Sequence, residues 1–103
     1  MTESDSTPHI GQIVLIKKGR DAGQFAVIIR QMDERFVLIA DGDKRKYDNP
    51  KKKNIQHLDY CNYVSPEVRS SILESGRVTN RKLRWALGEF ADKAMDDIEG
   101  RQN

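Results

Sequence analysis

Between residues 10 and 41 the apolar side chains fall into three short runs, IGQIVLI (10–16), QFAVIIRQM (24–32) and RFVLIAD (35–41). Each is rich in β-branched residues, and the breaks between and after them fall at Lys18-Gly19, Asp33-Glu34 and Asp41-Gly42-Asp43. β-Branched side chains suit a pleated surface, so the pattern predicts three strands. Asp41-Gly42 is a hairpin signal. It predicts a fourth strand over Lys44–Tyr47, and a turn at Asn49-Pro50 then leads to a fifth over Asn54–Leu58. Five short strands in about 50 residues predict a small antiparallel barrel. The alternation within the first three runs is weak: Ile13 through Ile16, Phe25 through Ile29 and Phe36 through Ala40 place apolar groups on both faces. A barrel interior buries only one of them, so the outside needs a cover.

The spacing changes after residue 64. Ser65-Pro66-Glu67 is a helix start with Ser as N-cap and Pro in the first turn, and Gly76 is the expected stop. A second helix is predicted from Thr79 to about Ile98. Val78 and Leu83 stand at the positions of a hydrophobic staple, and Leu83, Leu87, Phe90, Ala94 and Ile98 share one face. The two helices form a hairpin suited to cover the barrel. At about 100° per residue Trp85 points away from that stripe, toward the barrel, the other helix or a partner, or simply into solvent. Arg81, Lys82 and Arg84 crowd the start of this helix and Asp96, Asp97 and Glu99 its end, the reverse of what the helix dipole favours. Cations gathered there suit a phosphate, although salt screens the cost enough for chance to produce the same order. The expected organisation is a polar, disordered lead (1–9), the barrel (10–60), the helical hairpin (64–99) and a tail (100–103): a mainly β fold with an α appendage.

Charge sharpens this picture. Of 103 residues 37% are hydrophobic and 33% charged, and the net charge is only +2. Residues 10–60 nevertheless hold eleven Lys/Arg against seven Asp/Glu, while residues 61–103 are balanced. The densest stretch is DGDKRKYDNPKKKNIQHL (41–58), with Lys44, Arg45, Lys46, Lys51, Lys52 and Lys53 against three Asp; the loop 17–23 adds Lys17, Lys18 and Arg20. Basic loops on a small β scaffold supply charge-assisted contacts to phosphate oxygens, whose neutralisation releases counterions. A solvated charged hairpin would have the same composition. Tyr47, inside the basic block, suits either stacking on an unpaired base or packing on a strand face.

Catalytic signatures are lacking: there is no Gly-x-Ser-x-Gly, Walker loop, Gly-x-Gly-x-x-Gly or His-Glu-x-x-His. His57 and Cys61 are too few ligands for a structural zinc, so neither metal nor cofactor is expected, and Cys61 reads as a small packing residue. No run approaches the roughly 18 apolar residues of a membrane span, the first residues lack the plan of a signal peptide, and the single cysteine suits a reducing compartment. These features predict a cytoplasmic protein without membrane contact, a monomer when free.

The run I-G-Q-I-V-L-I-K-K-G-R-D-A-G-Q-F-A-V-I-I resembles the KOW motif of NusG-type transcription factors and several ribosomal proteins. Extended through D-G-D-K-R-K and P-K-K-K-N-I-Q-H-L, it is similar to the fourteen-e family of large-subunit ribosomal proteins and its short bacterial relatives, KOW-domain RNA-binding proteins. The tail S-G-R-V-T-N-R-K-L-R-W-A-L also resembles the helical end of those relatives. The resemblance implies an SH3-like barrel that binds RNA, chiefly ribosomal RNA, with Gly23 as the KOW glycine and Lys44, Arg45, Lys46, Lys51, Lys52 and Lys53 as matching basic positions. The expected function is non-enzymatic binding of structured RNA in ribosome function or assembly. The alternative is a protein-interaction module docking on ribosomal or transcription machinery. The acidic C-terminal end sets the chain apart from a strongly basic structural ribosomal protein.

Overall fold

The structure is a computed structural model that describes the backbone of residues 8–102 and the side chains of residues 8–94. The expected lead falls mostly outside the described residues, as does the side chain of Ile98. Five strands, β1 (Gln12–Ile16), β2 (Phe25–Gln31), β3 (Phe36–Ala40), β4 (Lys51–Asn54) and β5 (Leu58–Val64), are followed by α1 (Pro66–Ser75) and α2 (Asn80–Gln102). All pairings are antiparallel and the sheet order is β4-β3-β2-β1-β5.

β4 and β5 lie on opposite edges, yet only a 3₁₀ turn, Ile55–His57, separates them. Five strands laid flat would hold the outer two about 19 Å apart. Asn54 and Leu58, four residues apart, can span at most about 15 Å. The sheet must therefore curl, and the turn bridges the gap: Ile55 N–H donates to the Arg35 carbonyl at 2.8 Å and Lys17 N–H to the His57 carbonyl at 2.8 Å.

The two-sided strands give two cores. Val14, Ile16, Ala26, Ile28, Val37, Ile39 and Leu58 bury together on one face. Ile13, Val27, Ile29 and Ala40 emerge on the other, where Val68, Val78, Leu83 and Ala86 from the helical region pack on them. The helix ends form as their local chemistry dictates. The Ser65 hydroxyl accepts from Val68 N–H at 3.3 Å, Gly76 stops α1 in the left-handed conformation, and Thr79 Oγ1 accepts from Lys82 N–H at 3.1 Å. Val78 and Leu83, the staple pair, lie in the same core.

Two strand expectations need correcting. Lys44–Tyr47 is a loop, because the Asp41 carboxylate accepts from the backbone N–H groups of Asp43 (2.8 Å) and Arg45 (2.9 Å), folding the chain on itself. The place beside β3 goes to Lys51–Asn54. Asn54–Leu58 is not a strand either: the Asn54 side chain accepts from Gln56 N–H at 2.8 Å and starts the 3₁₀ turn, so β5 begins only at Leu58.

Candidate nucleic-acid interface

The β1–β2 loop holds its own shape. Ala22 N–H donates to the Gly19 carbonyl at 3.2 Å and Gly23 N–H to Ile16 at 2.7 Å. Gly23 has φ +93° with open space where a Cβ would sit, so glycine serves conformation there and not close approach. Across from the loop stands Lys53 of β4, whose Nζ donates to the Lys18 carbonyl at 2.8 Å. A Cβ on Gly19 would lie 2.8 Å from that nitrogen, so the loop closes directly onto the lysine. Between them is a cavity of about 370 Å³ lined by Gly19, Arg20, Asp21, Arg45, Lys51 and Lys53. Four cations and one carboxylate, drawn from three chain segments, share this space. Lys53 has three N–H donors, of which the Lys18 carbonyl takes one.

The other predicted residues are spread around this centre. Lys17 pairs with Asp59 at 3.3 Å, and Lys52 Nζ stands 4.6 Å from the centre of the Phe36 ring, a cation–π contact. Lys18 and Lys44 are exposed, and Lys46 Nζ reaches the Asp43 carbonyl at 3.3 Å. Tyr47 is not a free platform for a base. It packs against the outer core, its hydroxyl donates to the Gly76 carbonyl at 3.0 Å, and its N–H donates to Asn80 Oδ1 at 2.7 Å. Arg84 is likewise engaged inside the molecule, donating to the Gly42 carbonyl at 2.6 Å. Arg81 and Lys82 lie on the outward side of α2, lining a second cavity with Trp85.

Sequence reasoning missed or underweighted three participants. Gly19 enters the sequence reading only as one of two loop glycines open to positive φ or close approach, and it is the one that meets a charged neighbour. Asp21 adds the one acid in the cleft. Asn80 ties the basic loop to α2, and only the tertiary structure places Tyr47 beside it.

Burial, with a smaller contribution from the Asp59 carboxylate, raises the Cys61 thiol above its ordinary value. Among the described residues no three His, Cys, Asp or Glu side chains gather as a metal site, and no helix is long and apolar enough to cross a membrane.

No family model matches the chain. A curated protein of Bacillus subtilis (strain 168), named "Putative ribosome-binding protein YbzG", is 45% identical over 71 residues, which make up 69% of this chain and 96% of the relative. With nearly the whole relative aligned at that identity, the chain belongs to the family of this Bacillus protein.

Proposed function

We propose that this protein binds ribosomal RNA without catalysis, through the cleft between the β1–β2 loop and β4, and associates with the ribosome by that contact. One observation carries the reading: Arg20 of the β1–β2 loop converges on a single cavity with Arg45, Lys51 and Lys53, which lie beyond β3 in the chain. Scattered surface lysines would be a solvated face; cations gathered on one concave site focus a positive potential that draws polyanion. The name of the Bacillus relative supports a ribosomal setting in the cytoplasm. The finer fold assignment, an SH3-like KOW barrel, is supported by the curled sheet and the 3₁₀ turn joining its edges. Lys17, Lys18, Lys44, Lys46 and Lys52 extend the electrostatic footprint, and the helical layer backs the sheet.

The test is a titration with ribosomal RNA fragments at several salt concentrations. Changing Lys51 and Lys53 together to Glu should weaken binding by on the order of 100-fold and lower the slope of log K against log salt by about two units. The double variant should keep the parent's melting profile within a few degrees. An unchanged slope in a folded variant would overturn the assignment.

A further inference from the structure

We propose that Trp85 is a stacking platform for one unpaired RNA nucleotide, with Arg81 and Lys82 holding the flanking phosphates; this rests on the RNA reading above. α2 sends Leu83 and Ala86 fully into the core, and Leu87 and Phe90 partly into it, whereas Trp85 keeps 46% of its surface exposed. It borders a cavity of about 330 Å³ lined by Glu67, Thr79, Arg81, Lys82 and Trp85. That volume is in the range of small-ligand sites. An exposed indole lining one cavity with a guanidinium and an ammonium is a combination that single-stranded nucleic acid uses, bases stacking on the ring while phosphates meet the cations. Glu67, on α1, repels phosphate and can accept from an exocyclic amino group, so the base faces α1. A duplex offers no free base face, and the site therefore selects single strands, loops and bulges.

The position favours RNA over an acidic peptide. Arg84, adjacent to Trp85, donates to the Gly42 carbonyl at the start of the basic loop. Asn80, one turn earlier, holds Tyr47 at its far end. The platform thus stands on the helix whose Asn80 and Arg84 hold the loop that supplies Arg45 to the cleft.

Trp85 is the sole tryptophan, so its fluorescence reports the site alone. The full chain is titrated with a single-stranded RNA oligonucleotide, with a duplex of the same length and with poly-glutamate. Single-stranded RNA should quench the emission, whereas duplex should bind the cleft with little quenching. Trp85→Leu should lose about 5- to 100-fold in affinity for the single strand and keep its affinity for the duplex, and Trp85→Phe should recover most of the loss. RNA binding without quenching, or equal affinity of the Leu variant for single strands, overturns the platform while leaving the cleft assignment intact. Quenching by poly-glutamate equal to that by RNA, or a Leu variant that keeps RNA affinity but no longer sediments with ribosomes, overturns it in favour of a protein partner. Failure of the parent to bind either RNA overturns both readings.

Discussion

Gly42 is where the basic loop and α2 have the least room to adjust. Its φ is +82°, and an added Cβ would run into the Asn80 carbonyl oxygen and approach Arg84 Cγ at 3.1 Å. Gly42→Ala should therefore cost about 2–3 kcal/mol in chemical denaturation, strain and collision acting together. Gly23→Ala, with a similar φ but open surroundings, should cost about 1 kcal/mol. Equal losses at the two positions would contradict the contact with Asn80. Tyr47 separates packing from recognition in the same way. Removing its hydroxyl in Tyr47→Phe deletes the bond to Gly76, and the expected outcome is about 1 kcal/mol less stability with unchanged RNA affinity. A loss of affinity at constant stability would return the ring to RNA contact.

At the scale of elements, β5 carries a pH dependence. Tyr60 is raised by burial, Cys61 by burial and Asp59, and Tyr63 by burial and then Glu67 and Glu89. All three are acids whose neutral form the fold favours. Their contribution is fully present below the ordinary thiol value of 9.0 and is lost as pH rises through the elevated folded values. A melt series should be flat in these groups at neutral pH and fall in the alkaline range, with Cys61→Ser removing the earliest part of the fall. The helical layer makes a second prediction: a chain cut after Val64 would expose Ile13, Val27, Ile29 and Ala40 and should self-associate in sedimentation more than the whole chain. The helices were legible in the sequence because their signals are local. Ser65, Pro66 and Gly76 set both ends of α1, and Val78, Thr79 and Leu83 set the start of α2. β4 was misplaced for the opposite reason. Asp41 uses its carboxylate to fold residues 41–45 into a turn, and the partner of β3 is settled by pairing across the sheet, which the hairpin signal at Asp41-Gly42 does not encode.

For the whole molecule, the excess of cations in residues 10–60 was legible as charge but not as a cavity. Convergence of residues 20, 45, 51 and 53 depends on the curl of the sheet and on the bond from Lys53 to the Lys18 carbonyl, neither of which leaves a trace in composition. With a net charge of +2, long-range attraction is modest, and affinity should come from this local convergence. The place of β4 also bears on how the protein stays in solution. β4 is an edge strand, and its sequence is Lys51-Lys52-Lys53-Asn54. An unpaired edge invites a strand from a second copy, which would set like charges about 4.8 Å apart. The lysines proposed to meet RNA would thus also repel the wrong neighbour when no RNA is bound. Changing all three to Thr should leave a folded protein that aggregates edge to edge. High salt, by screening the same charges, should weaken RNA binding and colloidal stability together.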